Sequence, residues 1–326
     1  MAFANTSVSD IIATTIQNRT RKIADNVTKN NAILMRLKQK GRIKTFSGGY
    51  QIMQELSFAE NANAGWYSGY DILPVNASDV ISAATFNIKQ AAVPVVISGL
   101  EMLQNAGKER MIDLMEGRIS VAESTMANLI SQGLYSDGTS AGGKQIDGLN
   151  AALPVANTTG TYGGINRATW TFWQNQLSNQ TAANGLNPTL IGGYWNALWA
   201  SCVRGSDAPD LIMCDTLVWN AYVAACQAIQ RFNSPEVGEL GFASLKFMNA
   251  DVVLDGGIGG QCPTGTAFFL NTDFIHYRPH ASRNMVPLSP NKRYATNQDA
   301  EVQILAWAGN LTCSGTQFNG RYDANG

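Results

Sequence analysis

A glycine-rich stretch contains residue types that two kinds of catalytic site would use. Residues 138–142 read GTSAG, which fits the GxSxG pattern of serine hydrolases. In that chemistry the serine stands on a sharp turn between a strand and a helix, with a histidine as its base. Here a predicted helix precedes Ser140 and a loop follows it. The pattern is therefore typical of a flexible junction, and a hydrolase is the less favoured interpretation.

The same stretch also begins like a nucleotide-binding loop. Residues 138–144 fit the start of GxxxxGK[ST], but Gln145 stands where a hydroxyl should bind magnesium. No predicted strand leads into the loop. An α/β hydrolase or NTPase using residues 138–145 stays as the alternative from another functional class, and a protein that is not an enzyme is favoured.

Metal-binding residues do not form a recognisable site either. His276 and His280 are four apart, but Pro279 argues against the helix on which they would share a face. The five cysteines are widely spaced and include no CxxC, so neither a disulfide framework nor a zinc site is indicated. We expect the cysteines to be small residues of the core. We expect no catalytic residue, cofactor or metal.

Composition points to a chain that packs against neighbours. Charged residues are 14% of the sequence, compared with roughly 25% in an ordinary globular protein. A weakly charged surface repels its own copies weakly. Neither a secretory signal nor a membrane-spanning run is present, which predicts a soluble intracellular protein.

The N-terminal part of the chain is a basic arm. Residues 19–44 carry nine basic side chains and a single acid, a net charge of +8. A short helix is predicted over residues 33–39. The basic side chains Arg36, Lys38 and Lys40 could meet either an acidic protein partner or nucleic acid; the protein partner is favoured, because the rest of the chain has no basic face.

An extended loop follows the arm. Alternating apolar residues predict one strand over residues 52–58 and a second over residues 80–88. The connection between them is far longer than an ordinary hairpin turn. It contains Trp66, Tyr67 and Tyr70, and residues 45–88 carry four acids (Glu55, Glu60, Asp71 and Asp79) and no lysine or arginine.

A helical region and a second structural unit complete the chain. Ser98 and Glu101 form a capping box that begins a short helix. Apolar residues at spacings of three and four, from Met111 to Leu129, predict a long amphipathic helix over residues 108–132. Beyond the glycine-rich stretch, helices are predicted over 190–203 and 216–232, and strands over 211–214, 245–254, 266–277 and 301–312. This alternation indicates an α/β unit.

The order of these elements resembles the major capsid proteins of tailed bacteriophages with the Hong Kong 97 fold. The resemblance covers nearly the whole chain. It is carried by the long helix running into YSDGTSAGGKQIDGL (135–149), by DLIMCDTLVWNAY (210–222), by AFFLNTDFIHYRP (267–279) and by AWAGNLTC (306–313).

The resemblance implies an α+β capsid subunit with an N-terminal arm, an extended loop, a peripheral domain with a long spine helix, and an α/β axial domain. The implied boundaries are 1–44 for the arm, 45–90 for the loop, 91–150 and 285–326 for the peripheral domain, and 151–284 for the axial domain. It implies pentamers and hexamers of the chain in an icosahedral virion shell around double-stranded DNA, assembled in the host cytoplasm. A separate scaffold, a portal and decoration proteins are further implied partners. An encapsulin-type compartment shell is the alternative within the same fold.

In such shells the extended loop lies across a neighbouring subunit. We therefore expect Trp66, Tyr67 and Tyr70 to be interface anchors, and expect Glu55, Glu60 and Asp71 to attract Arg36, Lys38 and Lys40 of an adjacent copy. A local aromatic cluster is the alternative for the three aromatics.

Some family members cross-link subunits through a loop lysine, and because residues 45–88 have none we expect a shell without that bond. Because the arm begins almost at Met1, we expect any scaffold to be a separate protein, or the sequence to be the mature form.

Overall fold

The computed structural model describes residues 31–104, 108–228, 244–256, 260–288, 293–294 and 300–326. Its longer helices are α1 Ala32–Gln39, α2 Gly99–Gln104, α3 Lys108–Leu134, α4 Ile191–Cys202 and α5 Thr216–Ala228. Its strands are β1 Gln51–Ser57, β2 Ile81–Asn87, β3 Lys89–Ser98, β4 Thr161–Tyr162, β5 Ile165–Asn166, β6 Gln176–Asn179, β7 Leu211–Cys214, β8 Ser244–Phe247, β9 Ala250–Leu254, β10 Thr266–Leu270, β11 Ile275–Pro279, β12 Val286–Pro287, β13 Arg293–Tyr294, β14 Ala300–Cys313 and β15 Gly320–Asp323. Short helical turns lie at Ser140–Gly143, Leu149–Ala152, Thr171–Trp173, Ala182–Gly185 and Thr316–Phe318.

A five-stranded sheet is built around the long strand β14. One edge of β14 pairs antiparallel with β3, from Ser98 opposite Ala300 to Lys89 opposite Gly309. Its other edge pairs with β11, β12 and β13. The helix α3 packs against this sheet and extends about 40 Å at 1.5 Å per residue. The long helix predicted over residues 108–132 is thus present as α3.

Among residues 117–134 of α3, whose burial the structure describes, the buried face differs from the predicted stripe in one position. Ile119, Ala122 and Met126 are buried as expected, but Leu129 is exposed and Ile130 is buried in its place. Both 129 and 130 are compatible with a helical repeat from Met126. The capping box forms as predicted: the Ser98 N–H donates to Glu101 Oε2 at 3.2 Å, and the Glu101 N–H donates to Ser98 Oγ at 3.3 Å.

A six-stranded mixed sheet forms the α/β unit, in the order β6-β15-β10-β7-β9-β8. Alternate residues of its central strands face opposite sides. Ile212 and Phe269 pack against α4 and α5, where Trp195 stacks on Tyr222 at 4.6 Å, while Met213 faces the core that α3 shares. This burial on both faces explains the continuously apolar strand sequences.

Four expectations about strands need correction. The strand predicted over 266–277 is two strands, β10 and β11, which lie in different sheets. The predicted strand over 245–254 is two antiparallel strands, β8 and β9, because the chain turns at Met248 with a φ of +52°. The strand β11 lies within the expected axial range 151–284 but pairs with β14 in the five-stranded sheet. The strand β15 lies within the expected peripheral range 285–326 but pairs with β6 and β10. The helical turn Thr316–Phe318 separates β14 from β15, so the chain changes sheets there.

The arm is described from residue 31 onward, and we call residues 31–46 the arm segment. The predicted short helix is α1, and the Asn31 side chain caps it by accepting N–H groups from Ile33 and Leu34 at 3.1 and 3.2 Å. After α1 the chain runs beside β11, with Ile43 bridged to Tyr277 and Phe46 bridged to His280. The arm residues Arg19, Arg21, Lys22 and Lys29 lie outside the described residues, as do residues 229–232 of the helix predicted over 216–232.

Candidate inter-subunit surface

The base of the extended loop is anchored on its own subunit. The strands β1 and β2 pair from Gln51 opposite Asn87 to Ser57 opposite Ile81, as predicted. One face of this hairpin is buried through Ile52, Leu56, Ala84 and Phe86.

The turn between β4 and β5 supports that buried face. The Thr85 N–H donates to the Gly163 carbonyl at 2.9 Å, and the Phe86 ring meets Tyr162 edge-on at 5.1 Å. Gly163 has a φ of +57°, and a Cβ at this position would lie 2.9 Å from Ala84 Cβ and from Phe86 Cζ. The turn lies so close to β2 that only glycine fits at this position.

An aromatic group marks the point where this packing ends. The Phe58 ring lies 5.5 Å from Trp170 and 6.2 Å from Phe172, between ring centroids. Beyond Phe58, residues 59–80, which we call the loop tip, extend without any of the described strands beside them.

The loop tip exposes its large side chains. Trp66 and Tyr70 are fully exposed, at 106% and 105%, and Tyr67 is 68% exposed. None of the three makes a ring contact with any side chain that the structure describes, and the described residues therefore show no local aromatic cluster at the tip. Sequence reasoning missed Ile72 and Val75, which are also at least 90% exposed. Their signal was the apolar run ILPV, which has no predicted strand partner.

The acidic side chains of the loop lie on the surface as well. Glu55, Glu60 and Asp71 are exposed, and none forms an ion pair with a residue in the described ranges. Asp71 instead organises the tip: its Oδ2 accepts the Ser68 N–H at 2.8 Å, and its own N–H donates to the Ser68 carbonyl at 2.8 Å. The tip therefore has local order and an outward-facing negative charge.

The basic side chains of the arm segment behave differently. Arg36 pairs with Asp251 and with Asp210, whose Oδ2 is 3.5 Å from Arg36 Nε. Lys40 Nζ lies 3.2 Å from Asp210 Oδ2 and 3.3 Å from Asp273 Oδ1. These acids all belong to the same chain. Arg36 and Lys40 therefore have carboxylate partners within their own chain, and Lys38 is exposed. A contact of these residues with loop acids of an adjacent copy stays a prediction.

The pKa values of Asp273 and His276, near these ion pairs, are shifted by burial and by neighbouring charges. Burial raises the pKa of the Asp273 carboxyl, but the hydrogen bond from Arg42 at 2.9 Å and the charge of Lys40 outweigh it, so the pKa lies below its ordinary value. On the neighbouring strand, burial, together with the charges of Lys44 and Arg42, lowers the pKa of His276 to about 4. His276 is thus a neutral, buried residue of the sheet.

The stretch 138–145, which matches two catalytic motifs in sequence, lacks the strand and the histidine base that a serine hydrolase would need. Ser140 begins a short turn that follows the long helix α3, and no strand leads into it. His276 lies on β11 and His280 directly follows it, where both belong to the five-stranded sheet. This arrangement provides no nucleophile elbow.

The described residues contain no recognisable metal centre or membrane span. No three His, Cys, Asp or Glu side chains in these ranges lie close enough together to hold a metal ion. Cys202, Cys214, Cys262 and Cys313 are buried and Cys226 is partly buried, all as free thiols. None of the described helices combines the length and apolar character needed to cross a bilayer.

Comparison with solved structures identifies the fold. No known family profile and no curated protein matches the sequence. The cyanophage A-1(L) capsid asymmetric unit is similar in structure, with a TM-score of 0.66 and 16% identity over 88% of this chain and 91% of that chain. The capsid of a native GTA particle gives 0.55 and 12% identity over 88% and 89%, and the capsid of the Myoviridae phage XM1 gives 0.51 and 12% identity over 88% and 91%. The chain has the α+β fold of phage capsid proteins, of the Hong Kong 97 type.

Proposed function

We propose that this chain is a major capsid protein that self-assembles into the icosahedral shell enclosing the double-stranded DNA of a tailed bacteriophage. The observation that carries the proposal is a capsid fold that extends over 88% of the chain and leaves one long loop without a packing partner among the described residues. The role is structural and requires no catalysis. The protein would be located in the virion after assembly in the host cytoplasm.

The loop tip is the proposed contact with a neighbouring copy. Large exposed apolar side chains are unfavourable in a dispersed subunit and are enriched at buried interfaces. We assign Trp66, Tyr67 and Tyr70 as its anchors, and Glu55, Glu60 and Asp71 as charges that orient it. Arg36 and Lys40 are not assigned to this contact, because they have carboxylate partners in their own chain.

Closed symmetry turns such contacts into a stable shell. Each subunit repeats the same modest contacts with its neighbours in pentamers and hexamers, so weak pairs add up across the array. Separate scaffold, portal and decoration proteins are consistent with this role. Packaged DNA would be met without sequence specificity.

Electron microscopy of the purified full-length chain, combined with sedimentation, tests the proposal. We expect closed shells, and shells purified from infected cells should contain DNA. Dispersed monomers with hydrolytic activity that depends on Ser140 would contradict the proposal. Shells that contain a cargo enzyme instead of DNA would identify the encapsulin alternative.

The covalent state of the shell is a separate expectation. Residues 45–88 of the extended loop contain no lysine, so a cross-link from this part of the loop has no lysine amine to start from. Shells boiled in denaturing detergent should therefore give a single band at the 35.1 kDa of the chain. A ladder of covalent oligomers would contradict this.

A further inference from the structure

The extended hairpin joins the five-stranded sheet at one residue. The strand β2 ends at Asn87 and pairs with β1, whereas β3 begins at Lys89 and pairs with β14. Only Ile88 lies between them. Contacts that hold Asn87 and Lys89 therefore help to set the direction in which the hairpin leaves the sheet, together with the packing of β2 on the turn between β4 and β5.

The buried side chain of Asn310, on β14, holds the first of these residues. Its Nδ2 donates to the Asn87 carbonyl at 2.8 Å and to Asp147 Oδ2 at 2.7 Å. Its Oδ1 accepts the Asp147 N–H at 3.0 Å and the Leu311 N–H at 2.9 Å. Both donors and both acceptor positions of the amide are thus used, and Asn310 connects the hairpin, the sheet and the segment that contains Asp147.

The second residue, Lys89, is held by the same segment. Lys89 Nζ lies 3.5 Å from Asp147 Oδ1 and donates to the Gly143 carbonyl at 2.6 Å. The Lys89 side chain is only 11% exposed and that of Asp147 24%. Hydrogen bonds to ionised groups are stronger than neutral ones, and partial burial limits their screening by water.

A glycine makes room for the Asp147 carboxylate. Gly138 has a φ of +77°, and a Cβ there would lie 2.4 Å from Asp147 Oδ1. The glycine-rich stretch thereby brings the Gly143 carbonyl and the Asp147 carboxylate to either side of the Lys89 amine. The glycines that make this stretch resemble a catalytic loop thus have a structural role.

We infer that residues 138–147 form a brace, with Asp147 and Asn310 as its positioning residues, that sets the direction of the extended hairpin and hence where the loop tip meets a neighbouring copy. The meeting with a neighbour rests on the proposed function. The brace itself is a property of the single subunit.

Hydrogen exchange of the full-length chain tests the brace. Lys89→Met and Asp147→Asn each remove the ion pair with little change in volume. We expect the amides of β1 and β2 to exchange about 10- to 100-fold faster in either variant, since that is the range for losing a hydrogen bond to a charged group. The matched control is Glu101→Gln, which breaks a pair of 2.6 Å with Arg118 beyond the other end of β3. It should leave exchange in β1 and β2 unchanged.

The outcomes separate the brace from general stability and from the proposed function. Unchanged exchange in the hairpin, or faster exchange spread evenly over both sheets, would overturn the brace. If Asp147→Asn does not fold, Lys89→Met decides. Exchange is measured in subunits and does not require shells. Wild-type protein that forms no shells would refute the proposed function, and the exchange rates of the variants would still test the brace.

Discussion

The arm segment buries its apolar side chains and pairs its charges within the chain, whereas the loop tip exposes both kinds of side chain. In the arm segment Ile33, Leu34 and Leu37 are buried, and Arg36 reaches two carboxylates of its own chain. In the loop tip Trp66 and Tyr70 are fully exposed, and the acids have no cationic partner among the described residues. One region is part of the subunit fold, and the other is available to a second molecule.

The difference shows that net charge alone does not identify a contact surface. The arm has a net charge of +8 and the loop −4, which suggested that they attract each other between copies. Three of the arm's basic residues, Arg36, Lys40 and Arg42, are instead paired with Asp210, Asp251 and Asp273 of the same chain. A contact surface is better identified by apolar area and charge that lack partners in the subunit.

The largest expected effect comes from breaking the arm's buried pair. Arg36→Met leaves Asp251 without its partner at a site where both side chains are at most 12% exposed. We expect the free energy of unfolding to fall by about 3–5 kcal/mol, the usual loss when one member of a buried pair is removed. Denaturant titration measures it.

The control for this change is Arg204→Met. Arg204 is 65% exposed and lies 3.4 Å from Asp207, so its loss should cost under about 1 kcal/mol. Equal stability of Arg36→Met and wild type would show that the arm segment is not part of the fold. The prediction also means that reversing Arg36, Lys38 and Lys40 to glutamate would prevent assembly by unfolding the subunit.

The next effect is a pH dependence in the sheet beside the arm segment. The pKa of His276 is lowered to about 4 in the folded chain, so between pH 6.5 and 4 the unfolded state binds a proton that the folded state does not. Stability from this group is complete above pH 6.5 and decreases as the pH falls to 4, by up to about 3 kcal/mol. His276→Gln should remove this decrease from the unfolding free energy measured against pH. His280→Gln should keep it, and identical profiles for the two variants would contradict the assignment.

A smaller effect distinguishes the loop tip from the loop base. Trp66→Ala should leave subunit stability unchanged and weaken each inter-subunit contact by about 2 kcal/mol, as for an interface anchor. The measurement is the critical concentration for shell formation by sedimentation. Phe58→Ala is the matched aromatic control: its ring packs on Trp170, so it should destabilise the subunit itself. Loss of folding in Trp66→Ala would favour a local role for the tip aromatics.

The sequence was sufficient where structure follows local patterns. The 3.6-residue apolar repeat predicted α3, alternation predicted β1 and β2, and Ser98 with Glu101 predicted the start of α2. The turn at Met248 was missed because the apolar pattern continues through it and its positive φ has no glycine to announce it. The partner of Arg36 was missed because Asp251 lies 215 residues away in the chain, so no local pattern connects the two residues.

The smallest expected effect concerns the loop acids. Glu55 and Glu60 are exposed, so each contributes only about 0–1 kcal/mol to a contact, mainly by orienting the approaching copy. If the neighbour's surface is basic, Glu60→Lys should slow assembly in light scattering at about 0.05 M salt and have little effect near 1 M, where the screening length falls to about 3 Å. Glu60→Gln should give about half the change, because it removes the charge without reversing it. A slowing that is independent of salt would mean that Glu60 acts through packing, and the loop tip would then rely on its apolar side chains alone.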